Sequence, residues 1–128
     1  MIRLFFDTDV IIDYLRGREE AIAYFDTLKK MPMLISTITI AELFSGARAT
    51  EQIILENFIN LFDEVNIDRK VAELGGQIRQ RYMRSHGVGL ADALIAATVE
   101  LYHATLVTLN KKHYPMLEKL IVPYEKNH

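Results

Sequence analysis

Ile2-Arg3-Leu4-Phe5-Phe6-Asp7-Thr8-Asp9 is a short apolar run, interrupted once by Arg3, that ends abruptly on two carboxylates. Residues 2–6 carry no helix punctuation, and their length and composition predict a strand buried on both faces. Working outward, the chain alternates such runs with helical patterns. Asp9 is placed to cap a short helix through Leu15, which Gly17 stops. A helix is expected over 19–30, with Ala21, Tyr24, Phe25 and Leu28 on one face. Met33-Leu34-Ile35-Ser36-Thr37 reads as a second strand, and Thr39 opens a helix to about Ala47. Residues 51–61 repeat Ile54, Leu55, Phe58 and Leu61 on one side, and residues 64–67 form a weak third strand. Asp68 caps a long helix to about Met83, and Gly87-Val88-Gly89 breaks the chain. The helix over 90–102 is apolar nearly all round, so it must be deeply buried. Thr105-Leu106-Val107-Thr108 is a fourth strand, and Leu120-Ile121-Val122 offers a fifth before Pro123.

Alternating strands and helices imply a parallel sheet covered on both faces. Ligands of such sheets collect beyond the carboxyl ends of the strands. Asp7 and Thr108 each follow a strand directly and belong on that edge. With no repeat, linker or low-complexity stretch, residues 1–128 read as one domain.

The composition allows a real core and excludes several classes. The chain has 128 residues, 50% of them hydrophobic and 25% charged, with no cysteine. Disulfides and thiolate metal sites are therefore ruled out. No apolar run reaches the roughly 18–20 residues that cross a bilayer. The first strand begins so close to Met1 that no signal peptide is expected, and a cytoplasmic protein is the default. Residues 1–64 hold 6 Lys/Arg against 11 Asp/Glu, while residues 65–128 hold 9 against 6. Overall acidity argues against indiscriminate duplex binding, but Arg79, Arg81, Arg84, Lys111 and Lys112 could form a local basic rim.

Four segments deliver polar groups out of core-forming sequence: Asp7-Thr8-Asp9, Glu42 within Thr39-Ile40-Ala41-Glu42-Leu43, Asp92 within Leu90-Ala91-Asp92-Ala93-Leu94, and Thr108-Leu109-Asn110. Carboxylates so placed lose hydration and need a hydrogen bond, a cation or a raised pKa. If the fold gathers them, a hard divalent ion is the simplest shared partner. Each also has a structural reading. Asp9 serves as a helix cap, Thr39 to Glu42 match a capping box, and Asp92 favours the first turn of its helix. Asp7 has the weakest such alternative. Thr108 and Asn110 suit a turn at a strand end. Asp13 reads as a helix-face residue paired with Arg16, and His113 as a surface histidine.

Leu4-Phe5-Phe6-Asp7-Thr8-Asp9-Val10-Ile11-Ile12-Asp13-Tyr14-Leu15, Ser36 to Leu43, Leu90 to Ala97 and Leu106 to Asn110 resemble, in order and spacing, the PIN-domain ribonucleases. The resemblance is to the VapC-type toxins of VapBC toxin–antitoxin pairs, and it includes the closing Lys111-Lys112-His113-Tyr114. It implies a three-layer α/β/α domain with a central parallel sheet of four to five strands, and hydrolysis of RNA phosphodiester bonds. It places the three principal acidic positions on Asp7, Glu42 and Asp92. The frequent fourth acidic position falls on Asn110, a neutral amide here, so Asp9 makes up the acidic count or Asn110 contributes only oxygen. It further implies Mg²⁺ (or Mn²⁺) held by Asp7, Asp92 and Glu42, with Asp9 weaker. Thr108 would orient Asp7, and Arg79, Arg81, Arg84 and Lys111 would contact the RNA backbone.

Two other readings compete. Phe6-Asp7-Thr8-Asp9-Val10 also resembles the strand-end motif of haloacid-dehalogenase-type phosphatases, in which Asp7 would be the nucleophile. The neutral Asn110 also allows a catalytically silent binding module. Apolar excess at Ile53-Ile54-Leu55, Phe58-Ile59 and Leu61-Phe62 predicts an interface, and the resemblance implies a homodimer with an antitoxin partner.

Overall fold

A computed structural model describes residues 2–126. Five parallel strands, β1 (Leu4–Phe6), β2 (Met33–Ser36), β3 (Asp63–Val65), β4 (Thr105–Val107) and β5 (Leu120–Ile121), form one sheet in the order β3-β2-β1-β4-β5. Six helices connect them: α1 (Thr8–Leu15), α2 (Glu19–Asp26), α3 (Thr37–Gly46), α4 (Gln52–Ile59), α5 (Arg69–His86) and α6 (Leu90–Leu101). The sheet is α/β with helices on both faces, as the alternation implied.

The pleat of β1 explains the layering. Phe5 points into a cluster with Val71, Ile78, Ala93, Ala96 and Ala97 from α5 and α6. Leu4 and Phe6 point the other way, into Val10, Ile11, Leu43, Leu55 and Phe58 from α1, α3 and α4. Successive strand residues face opposite sides, so three consecutive apolar residues supply both cores. Aromatic packing reinforces the second: Tyr14 stacks on Phe58 at 4.3 Å between ring centroids, and Phe6 on Phe25 at 5.0 Å. Helix α6 lies close against α5 because Gly75 has no side chain; a Cβ there would meet Leu94 Cδ2 at 2.7 Å. Gly87 ends α5 in the left-handed region at φ 65°, a conformation that costs glycine little.

Several boundaries differ from expectation. Helix α1 starts at Thr8, and its cap is Asp7, not Asp9. Helix α3 starts at Thr37, where Ser36 Oγ accepts from Ile38 N at 3.1 Å. The Thr39–Glu42 capping box therefore does not form, because Thr39 already lies inside the helix. Its hydroxyl oxygen is the one buried side-chain polar atom without a partner among the described residues. In both cases the first side-chain oxygen leaving the strand takes the cap, and the helix begins earlier. Helix α2 stops at Asp26 instead of Lys30. Thr27 Oγ1 donates to Tyr24 O at 2.6 Å, the chain tightens into turns, and Lys30 takes φ 69°. Asp68 caps α5 as expected, accepting from Val71 N at 3.0 Å.

Candidate active site

Parallel pairing brings the ends of β1 and β4 side by side, with Phe6 opposite Val107, so Asp7 and Thr108 emerge as neighbours. Asp7 N donates to Val107 O at 3.0 Å, which extends the ladder by one residue and pins the aspartate backbone. Its side chain is almost fully buried. Oδ1 accepts from Thr8 N at 2.8 Å, and Oδ2 accepts from Thr108 Oγ1 at 2.8 Å and from Tyr114 OH at 2.9 Å. The threonine hydroxyl accepts in turn from Asn110 N at 3.0 Å, which leaves its own proton for Asp7.

The other carboxylates stand around this one. Asp9, in the first turn of α1, accepts from Val10 N at 2.7 Å and from Leu109 N at 3.0 Å, so it straps α1 to the chain leaving β4. Thr108 Oγ1 lies 3.5 Å from Asp9 and 2.8 Å from Asp7, and its single proton serves the nearer group. Glu42, exposed on α3, accepts from Thr8 Oγ1 at 2.8 Å. Asp92 comes from the first turn of α6. Tyr114 OH lies 3.2 Å from its Oδ1, and His113 Nδ1 lies 3.0 Å from its Oδ2.

Burial and mutual repulsion set the electrostatics. Desolvation is the main force raising the Asp7 pKa; hydrogen bonds from Thr108, Tyr114 and Thr8 oppose it, and the charge of Asp92 adds to it. Asp9 is pushed up to about 7, again chiefly by burial and then by the charge of Asp7, against the pull of its backbone donors and Lys126. Tyr114 is held far above the ordinary phenol range by burial and by Asp7 and Asp92, so it remains a neutral donor. One phenolic proton cannot serve two carboxylates at once. The group is short of positive charge, and only protons or a cation supply it.

The donor set suits a hard divalent ion, since all of it is carboxylate oxygen. Among the described residues, no three acidic or imidazole groups converge closely enough to grip an ion together. Asp7 and Asp92 are the two carboxylates between which the Tyr114 hydroxyl stands.

The remaining sequence candidates lie further out. The Asn110 side chain is exposed, and its residue acts here through the backbone N–H to Thr108. Lys111 lines a cleft of about 490 Å³ with Asp9, Asn110, Lys112, Tyr124 and Lys126. Arg79, Arg81 and Arg84 are exposed along α5; Arg81 lines a separate cleft with Glu100 and Met116. Tyr114 and His113 had no role in this network on the sequence reading, which also misplaced Asp13, a residue outside the network. Tyr114, named there only as the end of the Lys111–Tyr114 stretch, is buried and central. His113 does touch Asp92, and Asp13 is buried instead of facing solvent. Asp13 bonds Tyr124 OH at 2.9 Å and Lys126 Nζ at 3.1 Å, with Arg18 at 3.9 Å, and Arg16 is not its partner.

A strand-end aspartate flanked by acids from two helices stands at the edge of this five-stranded parallel sheet, and the PIN-domain family model matches residues 4–116. Among curated relatives, the chain is 37% identical over 120 residues to Ribonuclease VapC10 of Mycobacterium tuberculosis, covering 92% of this chain and 90% of that one. It is 34% identical over 121 residues to Ribonuclease VapC19 of the same organism, covering 92% and 97%. Among solved structures, a toxin-antitoxin complex from Klebsiella pneumoniae superposes with a TM-score of 0.81 at 31% identity, covering 96% of this chain and 99% of that one. The chain belongs to the PIN-domain family and is of the VapC type. That assignment displaces the phosphatase reading of Asp7.

Proposed function

We propose that this protein is a divalent-cation-dependent endoribonuclease and the toxin half of a toxin–antitoxin pair. The observation that carries the reading is the crowding of Asp7, Asp9 and Asp92 around one buried strand end, where burial and mutual charge raise the Asp7 and Asp9 carboxyls. Such a cluster is unfavourable unless it binds positive charge. Relatives named as ribonucleases support the substrate class.

In this reading Asp7 and Asp92 hold Mg²⁺ or Mn²⁺, with Glu42 and Asp9 completing the acidic shell. When bound, the ion supplies positive charge to the phosphodiester and acidifies water for attack. The protein does the positioning. Thr108 fixes the rotation of Asp7 through a 2.8 Å bond, and Asn110 fixes Thr108. Glu42 reaches the same edge through Thr8. Lys111, beside Asp9, offers charge to the RNA backbone, and Arg79, Arg81 and Arg84 extend the basic surface along α5. Phosphate contacts of this kind orient the strand without reading its sequence.

The partner would occupy the groove between α1, α3 and α4, which Ile12, Leu15, Leu43, Ala47, Ile54 and Leu55 line together with Arg16, Gly46 and Glu51. An antitoxin segment seated there reaches toward the carboxylates, and a basic side chain from it inhibits by taking the cation's place. Ile53 and Ile54 are 74% and 61% exposed, while Phe58 faces the core, so part of the α4 stripe is free for this partner or for a second copy. We read the free protein as a homodimer.

The decisive experiment incubates purified protein with a mixed RNA pool in Mg²⁺, in Mn²⁺ and in EDTA, and sequences the new ends. Cleavage confined to the cation-containing reactions is expected. Equal cleavage in EDTA refutes cation dependence, and intact RNA under every condition refutes the ribonuclease reading in favour of a silent binding module.

A further inference from the structure

A buried phenol must find an acceptor for its hydroxyl, and Tyr114, with 1% of its surface exposed, faces two. Asp7 Oδ2 lies at 2.9 Å and Asp92 Oδ1 at 3.2 Å. The residue before it, His113, places Nδ1 3.0 Å from the other oxygen of Asp92. The Tyr114 hydroxyl thus stands between the two carboxylates, its single proton shared unequally in favour of the nearer Asp7, while His113 takes the other oxygen of Asp92.

This contact answers a need that the backbone does not meet. Gly75 lets α6 lie close on α5, which fixes where Asp92 starts. It leaves the Asp92 side chain partly exposed and free to rotate away from Asp7, and like charges favour that rotation. The turn bearing Tyr114 is itself anchored. His113 N donates to Asn110 O, Tyr114 N to Lys111 O and Leu117 N to Tyr114 O, each at 3.0–3.1 Å. Packing does not require the hydroxyl, because phenylalanine fills the same space in the cluster with Leu106 and Leu117.

We propose that the segment Lys111–Tyr114 is a bracket for the cation site. Tyr114 is a positioning residue that sets the distance between Asp7 and Asp92, and His113 fixes the rotation of the Asp92 carboxylate. The inference rests on the cation-dependent reading above and adds residues to it that act through the carboxylates.

Titration of the full-length protein with Mn²⁺, followed by calorimetry and by the Mn²⁺ electron paramagnetic resonance signal, tests it without any RNA. Outer contacts to ligands commonly set affinity by about 10–100-fold, so Tyr114→Phe is expected to bind Mn²⁺ roughly tenfold more weakly, and His113→Ala severalfold more weakly. Leu117→Ala, a buried change in the same cluster, is the packing control; it should melt earlier with Mn²⁺ affinity unchanged. Equal affinity in wild type and Tyr114→Phe overturns the bracket while leaving the functional reading intact. Equal losses in Leu117→Ala and Tyr114→Phe also overturn it, since the effect would then be general packing. Wild-type protein that takes up no Mn²⁺ removes the functional reading and the bracket together. If Tyr114→Phe fails to fold, His113→Ala decides, with weakened binding supporting the bracket and unchanged binding refuting it.

Discussion

Asp7 and Asp13 are the same residue type, six positions apart at the two ends of α1's first turns, and both are buried, at 6% and 7% exposure. Their surroundings are opposite. Asp13 meets Lys126, Arg18 and the hydroxyl of Tyr124, so its charge is answered inside the chain. Asp7 meets Thr108, Tyr114 and a backbone N–H, all neutral, and faces the charges of Asp9 and Asp92. One aspartate is compensated and the other is left wanting positive charge. Burial alone therefore does not separate a structural acid from a functional one; the sign of the neighbours does.

Substitution at each position breaks this contrast in a different observable. Asp7→Asn has the largest expected effect: RNA cleavage falls by more than about 100-fold. The melting temperature in EDTA holds or rises, because one of several repelling charges is gone. Wild-type turnover in that variant would remove Asp7 from the centre of the site.

Glu42→Gln comes next. With no capping box formed at Thr39, Glu42 has no helix cap to lose, and the amide oxygen still accepts from Thr8. Stability should stay within about 0.5 kcal/mol, as for most surface changes, while cation-dependent cleavage drops by about tenfold. Unchanged kinetics would make Glu42 a surface residue only.

Asp13→Asn should reverse the pattern. It loses the attraction to Lys126 and Arg18 but keeps an acceptor for Tyr124, and those cations remain partly solvated. Urea unfolding is expected to show a loss of about 1–2 kcal/mol, with the cleavage rate per folded molecule unchanged. A catalytic defect at full stability would contradict the division between the two aspartates.

The last effect is a slope with pH. Folded Asp9 titrates at about 7, against 3.8 for an ordinary aspartate, so the native state holds a proton that the unfolded chain releases. Its stability contribution is fully present below the unfolded value and is lost as pH rises through the folded one. The raised Asp7 carboxyl has the same sign. Urea midpoints measured in EDTA should therefore fall from about pH 4 to about pH 7, and Asp9→Asn should flatten the fall. A rising midpoint over that range would mean that the cluster is internally compensated after all, like Asp13.

The fold was legible because its signals are local and periodic. The apolar run of β1, the breaks at Gly17 and Gly87, the Asp68 cap and the all-apolar α6 each follow from a few adjacent residues. Helix starts were less legible: Asp7 and Ser36 took the caps that Asp9 and Thr39 were expected to fill. Several oxygen-bearing residues stand in a row there, and the geometry of the strand end chooses among them. In the site, the four polar segments, three of them acidic, were visible as interruptions in apolar sequence. Tyr114 was not, since an aromatic residue in a loop carries no mark of where its hydroxyl will point.

By itself the sequence determined the alternation of strands and helices, the parallel sheet it entails, and the set of carboxylates that had to be explained, because all three depend on residue type and short-range spacing. Only the tertiary structure decided which carboxylates share neighbours. The pairing of β1 with β4 set Thr108 beside Asp7, and the approach of α6 to β1 put Asp92 within reach of Tyr114. The return of the C-terminal segment brought Lys126 and Tyr124 to Asp13 and left Asp7 without a cation. The contacts of Thr108 and Tyr114 with Asp7, and of Tyr124 with Asp13, join residues more than a hundred positions apart, and the electrostatic state of a buried acid is set by what lies within a few ångströms of it, whatever its distance along the chain.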